Sequence, residues 1–127
     1  MVRRSVEAFN RRELLLDDLD PEVEWVEDQR FPGAETFHGP AGVERSVQKW
    51  WDAWSEITME VVELIDLDDR VVVVGNTQAR GHGSDLSVTA EFGNVYELRR
   101  GKVVRVRILG SRAEALEAAG LSDQSMP

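Results

Sequence analysis

The second half of the chain alternates between runs rich in β-branched residues and short polar turns. The segments DLDD, HGSD and RG contain the Asp and Gly residues typical of tight turns. Strands joined by such short connections pair in antiparallel fashion. The pattern therefore predicts a curved four-stranded meander whose apolar face must be covered by the rest of the chain. The four runs that carry it, within 57–109, are ITMEVVELID, RVVVVGNTQARG, SVTAEFGNVYELR and KVVRVRIL.

The N-terminal segment predicts helical cover for this sheet. Val2, Val6 and Phe9 recur at spacings of four and three, which predicts a short amphipathic helix. A second helical turn is predicted over 13–19, a leucine-rich stretch that stops at Asp20-Pro21. Both segments would place apolar side chains against the meander.

A strand and a long helix are predicted next. The alternation in EVEWV, residues 22–26, is that of a half-buried strand. Pro40 suits the first turn of a helix over 41–55, because its missing N–H is unpaired there in any case. The apolar face of this helix carries Val43, Val47, Trp50 and Trp54.

The C-terminal segment predicts a last helix. Ser111 and Glu114 have the spacing of a capping box, and Gly120 is a typical C-terminal cap. The pattern predicts a single domain over 1–121, followed by a tail over 122–127.

Composition excludes several classes of site. The 127 residues contain no cysteine, so disulfides, thiolate nucleophiles and cysteine zinc sites are excluded. A net charge of −9 disfavours nucleic acid. No apolar run approaches the roughly 20 residues of a membrane helix, and the N-terminus lacks a signal-peptide core. We therefore expect a soluble cytoplasmic protein that binds neither membrane nor nucleic acid.

The local sequence segments and the order of the predicted elements resemble those of a known family. The segments SVEAFNRREL, LDPEVEWVE, FHGPAGVERSVQKWWDAW, LIDLDDRVVVVG, RRGKVVRVR and SRAEALEAAGL are similar to the SnoaL-like polyketide cyclase and ketosteroid isomerase-like branch of the nuclear transport factor 2-like superfamily. The resemblance covers nearly the whole chain. It implies an α+β cone: a curved antiparallel sheet covered by N-terminal helices, with an apolar pocket between them.

The resemblance implies a hydrophobic small molecule as partner, and we expect no cofactor. The first hypothesis is an isomerase, cyclase or dehydratase that transfers protons on a hydrophobic cyclic carbonyl compound. The alternative is a non-catalytic binding module for a hydrophobic metabolite or a partner protein. Family members commonly form homodimers through the outer sheet face, where either Val72 and Val74 or Val104 and Val106 would supply an apolar patch if their face is convex.

Candidate catalytic residues come from two strands. Asn94 shares the more apolar face of its strand with Phe92 and Tyr96, which is typical of a small-ligand site, although an Asn there can equally well bond a neighbouring loop. Matched to a ketosteroid isomerase, Asn94 lies where that enzyme has the protonated aspartic acid of its oxyanion hole. Glu27 or Asp28 lies where it has its general base, with the register left open. Both acids could instead be exposed to solvent.

Two family features are missing. The isomerase's oxyanion-hole tyrosine corresponds approximately to Ser5, which leaves Tyr96, the only tyrosine, as a hypothetical replacement. The Asp–Arg–Asp set of epoxide hydrolases has no clear counterpart, because Arg105 and Arg107 lie on a strand without acids. Epoxide hydrolysis is therefore the weaker enzymatic alternative.

The remaining candidates are ligand-binding residues. Indoles and phenyl rings suit flat ring-bearing ligands, although they also suit plain core packing. His38 is either an acid–base group at the pocket mouth or an exposed loop residue. Two histidines without acids at ligand spacing predict no metal site. The predicted ligand-binding set is Phe9, Trp25, Phe37, His38, Trp50, Trp54, Asn76 and Phe92.

Overall fold

Six strands form one curved mixed sheet that packs against three helices in the computed structural model, which describes residues 2–28, 33–83 and 86–121. The strand order is β2-β1-β6-β5-β4-β3. This is the α+β cone of the nuclear transport factor 2-like fold, as the sequence predicted. The elements are α1 (Val2–Asn10), β1 (Leu19–Glu27), β2 (Thr36–His38), α2 (Gly39–Ala53), β3 (Glu56–Asp66), β4 (Arg70–Arg80), β5 (Ser87–Arg99), β6 (Lys102–Leu109) and α3 (Arg112–Ala118).

The meander lies where the alternating pattern predicted it. Strands β3 to β6 pair antiparallel in sequence order, and β1 joins the free edge of β6 in parallel. A parallel neighbour requires a crossover connection, and here α2 together with the meander makes it. The concave face therefore includes residues from both halves of the chain.

The segment 13–19 is not helical, which corrects the prediction of a second helical turn. Helix α1 ends at Asn10, and Arg12 has a positive φ of 58° that no α-helix continues through. Leu14 then packs against the core of the concave face, and Leu19 already belongs to β1. Leucines of an irregular loop can pack against the core just as those of a helix do. Their clustering in the sequence therefore did not distinguish a loop from a helix.

Helix α3 covers the convex face of the sheet. Val72, Val74 and Val95 pack there against Ala115 and Leu116. Gly93 allows this close approach, because a Cβ at position 93 would lie 2.4 Å from the Ser111 carbonyl oxygen. As predicted, the Ser111 hydroxyl caps α3 by accepting from the Glu114 N–H at 3.2 Å.

The valines predicted for a dimer patch do not form an exposed apolar surface. Val72 and Val74 lie on the convex face, as one alternative required, but α3 covers them. In the other pair, Val106 belongs to the core cluster of the concave face and Val104 is half-buried. Homodimer formation itself stays a prediction. The predicted tail, 122–127, lies outside the described residues, and within the described ranges no helix is both long and apolar enough to span a bilayer.

Candidate functional site

A cavity of about 260 Å³ lies between the concave face of the sheet and helices α1 and α2. Its walls come from α1, the segment 14–19, β1, α2 and the meander, and most of the side chains are apolar. A few polar residues interrupt this wall, which is the usual composition of a small-molecule site. They are Ser5, Asp18, Thr77, Glu91, Asn94 and Tyr96.

The strand register places polar residues of β5 in the same rows as residues of β1, with β6 between the two strands. Trp25, Val106 and Tyr96 form one row across β1, β6 and β5. The next row on the same face joins Glu27, Ile108 and Asn94. Adjacent strands lie about 4.8 Å apart, so the β1 and β5 members of each row are separated by about 10 Å at the backbone.

Tyr96 and Asn94 form the polar centre of the cavity wall. Burial raises the pKa of Tyr96 to about 12, and a hydrogen bond with the Asn94 side chain opposes this rise to a smaller extent. The phenol therefore stays protonated at neutral pH and can donate a hydrogen bond. Asn94 is only 3% exposed, and its Oδ1 has no hydrogen-bond partner among the described residues.

Glu27 points inward but does not line the cavity. Its carboxylate is 2% exposed. Oε2 accepts from Ser46 Oγ at 2.9 Å and from Trp50 Nε1 at 3.2 Å. Oε1 accepts from Lys49 Nζ at 2.8 Å and from the Glu35 N–H at 3.2 Å. Both oxygens are engaged by protein donors, so the geometry does not present Glu27 as a base to a ligand.

The other predicted base and three predicted ligand-binding residues also lie away from the cavity wall. Asp28 follows β1 and is half-buried outside the lining. Phe37 is buried beside α2, where Lys49 Nζ lies 5.3 Å from its ring centre. His38 is exposed at the N-cap of α2. Asn76 does not line the cavity, whereas its neighbour Thr77, which points to the opposite face of the same strand, does.

The cavity does bring together the remaining predicted residues. Phe9 reaches it from α1 and contacts Trp51, with ring centres 5.6 Å apart. Trp50 lies on α2 and Trp54 directly follows it, while Trp25 projects from β1. The lining members of the predicted set are Phe9, Trp25, Trp50, Trp54, Phe92, Asn94 and Tyr96.

Sequence reasoning missed Asp18. This half-buried residue lines the cavity from the loop before β1, and its backbone carbonyl accepts from the Val103 N–H at 2.8 Å. Its carboxylate forms no hydrogen bond or ion pair with any described residue. Asp18 was not predicted as a site residue because the segment 13–19 was assigned to a helix. The acidic run DDLDP, placed just before a strand that enters the cone, is the signal that pointed to it.

Arginines of the meander do not form an epoxide hydrolase-like centre. Arg105 lies on the convex side of β6 and pairs with Glu24 at 3.1 Å, and neither it nor Arg107 lines the cavity. Among the described residues, no group of three or more His, Cys, Asp or Glu side chains could hold a metal ion.

Comparisons with known proteins agree with the fold. A nuclear transport factor 2-like protein of unknown function from Burkholderia pseudomallei is 27% identical, with a TM-score of 0.77, over 91% of this chain and 92% of that one. TerC, co-crystallized with polyporic acid, is 23% identical, with a TM-score of 0.75, over 91% and 92% of the two chains. A putative polyketide cyclase from Xanthomonas campestris is 19% identical, with a TM-score of 0.70, over 84% of each chain.

No curated protein matches the chain significantly. A family model described as the SnoaL-like domain matches residues 2–106, which is well over half of the chain. The protein therefore belongs to the SnoaL-like domain family.

Proposed function

We propose that the cavity binds a hydrophobic, ring-bearing small molecule, and that Tyr96 donates a hydrogen bond to a carbonyl oxygen of that molecule. The observation that carries this proposal is the buried Tyr96–Asn94 pair in a mostly apolar wall. A neutral phenol can donate to a carbonyl oxygen, and this hydrogen bond stabilises negative charge on that oxygen. Such a contact is compatible with a function of the isomerase or cyclase type.

The shape and lining of the cavity support a ring-bearing ligand. A cavity of roughly 150 Å³ holds one benzene ring, so about 260 Å³ leaves room for a two-ring compound. The indoles of Trp25, Trp50 and Trp54 border this space and favour flat aromatic or unsaturated rings. TerC, which shares the fold, was co-crystallized with polyporic acid, so an organic ligand is compatible with a cone of this kind.

Tryptophan fluorescence tests the proposal, since indoles border the cavity. Two-ring cyclic ketones are titrated against the wild-type protein and Tyr96→Phe. In Tyr96→Phe, the loss of one hydrogen bond is expected to weaken ketone binding about tenfold. The affinity for the hydrocarbon of the same shape, which lacks the carbonyl group, should not change. Asn94→Leu should act in the same direction. Asn76→Leu, on the other face of the sheet, is the matched control and should change nothing.

Two outcomes would contradict the proposal. Ketones that bind no better than the hydrocarbon of the same shape would remove any role for a polar centre. Equal ketone affinity in the wild type and Tyr96→Phe would show that the phenol does not contact the oxygen.

A non-catalytic binding module is the second candidate. The observation that favours it is the engagement of both Glu27 oxygens by protein donors, which leaves the predicted base unavailable. Exchange of the α-protons of a bound cyclic ketone in heavy water separates the two. An enzyme that transfers protons accelerates the exchange, whereas a binding module does not.

A further inference from the structure

Two hydrogen-bond acceptors at the cavity wall lack a partner among the described residues. One is Asn94 Oδ1, on a side chain that is 3% exposed. The other is the carboxylate of Asp18, a half-buried residue whose side-chain oxygens stay accessible to solvent. A buried polar atom nearly always finds a partner, because leaving it unpaired costs about 1–3 kcal/mol, and this applies to Asn94 Oδ1. A ligand that supplies hydrogen-bond donors satisfies Asn94 Oδ1 and replaces water at the Asp18 carboxylate.

Charges around the cavity are of one sign. No Lys, Arg or His is found among the described residues that line it, whereas Asp18 and Glu91 do line it. The Glu91 side chain is engaged elsewhere, since its Oε1 accepts from the Arg112 N–H at 2.9 Å. Lys102, the first residue of β6, donates an ammonium N–H to the Asp17 backbone carbonyl rather than to Asp18. The Asp18 carboxylate is thus the unneutralised charge of the site.

The aromatic wall favours the same type of ligand. Trp25, Trp50 and Trp54 all border the cavity, and the face of an indole attracts cations. The net charge of −9 adds a negative field over the whole protein. An anion entering this cavity meets an unpaired carboxylate in an apolar surrounding, whereas an ammonium group gains an ion pair and cation–π contacts.

We infer that the ligand of this cavity is a ring compound that carries a protonated amine, and that Asp18 is the residue that binds the ammonium group. A second N–H or O–H group of the ligand donates to Asn94 Oδ1. The inference rests on the proposed function in that it uses the same cavity. It adds the charge of the ligand, which the oxygen contact at Tyr96 does not determine.

A matched set of three ligands tests the inference. Protonated 2-aminotetralin, neutral tetralin and tetralin-2-carboxylate share one two-ring skeleton and differ in charge. Calorimetric titration at low salt is expected to give the order ammonium, neutral, carboxylate, with the ammonium compound about three- to tenfold tighter than the neutral one. Asp18→Asn should abolish this preference, so that the ammonium compound binds no tighter than neutral tetralin. Asp17→Asn, the adjacent acid with an exposed side chain, is the control and should keep the preference.

The outcomes separate this inference from the proposed function. If tetralin binds but the ammonium compound binds no tighter, or if Asp18→Asn keeps the preference, the amine inference is overturned while the ring-binding cavity stands. If the carboxylate binds tightest, the inference is overturned as well. If no member of the set binds while two-ring ketones do, only the amine inference is overturned; if the ketones do not bind either, the proposed function fails with it.

Discussion

The carboxylate of Glu27 accepts a hydrogen bond from the indole of Trp50, with Oε2 and Nε1 3.2 Å apart. Trp50 lines the cavity and Glu27 lies behind it, so a buried charge fixes the orientation of a wall residue. Ser46 and Lys49 donate to the same carboxylate. A residue predicted as a general base is therefore a positioning residue for the aromatic wall.

Glu27→Ala is expected to destabilise the protein and to loosen Trp50. The variant leaves the Ser46 hydroxyl and the Trp50 N–H without an acceptor, whereas Lys49, 42% exposed, can turn to solvent. We expect the free energy of unfolding to fall by roughly 2–4 kcal/mol. Urea denaturation followed by tryptophan emission measures it. Glu22→Ala, an exposed acid on the same strand, should change it by less than about 0.5 kcal/mol. Equal effects of the two variants would contradict this role of Glu27.

Tyr96 should ionise well above the ordinary value of a tyrosine. Its pKa is raised from 10.0 to about 12, so the folded state binds the proton more tightly than the unfolded state. This difference contributes roughly 2–3 kcal/mol to the free energy of unfolding below pH 10. The contribution is lost as the pH rises from about 10 to about 12.

The titration of Tyr96 is directly measurable because it is the only tyrosine. Tyrosinate absorbance against pH follows it, and circular dichroism on the same samples identifies where unfolding begins. Asn94→Leu should raise the midpoint further, since the hydrogen bond with Asn94 lowers the pKa. A midpoint near 10 in the folded protein would show that the phenol is exposed to solvent.

Arg12 ties the cavity-lining loop to the end of α2. Its guanidinium donates to the carbonyl oxygens of Trp51, Trp54 and Ser55 at 3.4, 3.3 and 2.8 Å. The end of α2 leaves the Trp51 and Trp54 carbonyls without helical partners, and the Ser55 carbonyl lies just beyond it. Arg12→Ala should lower the free energy of unfolding by roughly 1–3 kcal/mol.

The control for Arg12 is its neighbour. Arg11 forms a well-exposed pair with Glu13 at 3.4 Å, a contact worth little in water. Chemical denaturation of Arg11→Ala should therefore match the wild type. If both arginine variants lose the same stability, the contacts of Arg12 to α2 are not its source.

Gly93→Ala should displace α3 from the sheet. The added Cβ would lie 2.4 Å from the Ser111 carbonyl oxygen and 2.8 Å from the Ala115 Cβ. The backbone of α3 can avoid this clash only if the helix moves, so we expect the free energy of unfolding to fall by roughly 1–3 kcal/mol. Amide hydrogen exchange should rise in α3 and stay unchanged in α2, which packs on the other face. Uniform exchange across both helices would argue against a local effect.

The sequence by itself determined the meander, the course of α2 and the inward face of β5. These features follow from local periodicity, since alternate residues of a strand face one side and helical spacing selects one face of a helix. Phe92, Asn94 and Tyr96 lie together on the cavity wall for that reason. The family could also be identified from the sequence, because its segments keep their order along the chain.

Only the tertiary structure decided which charged groups reach the cavity. Glu27 faces inward, yet α2 supplies donors that occupy it, and Asp18 lines the cavity because its backbone is bonded to β6. Both outcomes depend on contacts between residues far apart in the chain, which periodicity does not encode. The same holds for α3, whose packing at Gly93 buries Val72 and Val74 of the predicted dimer patch.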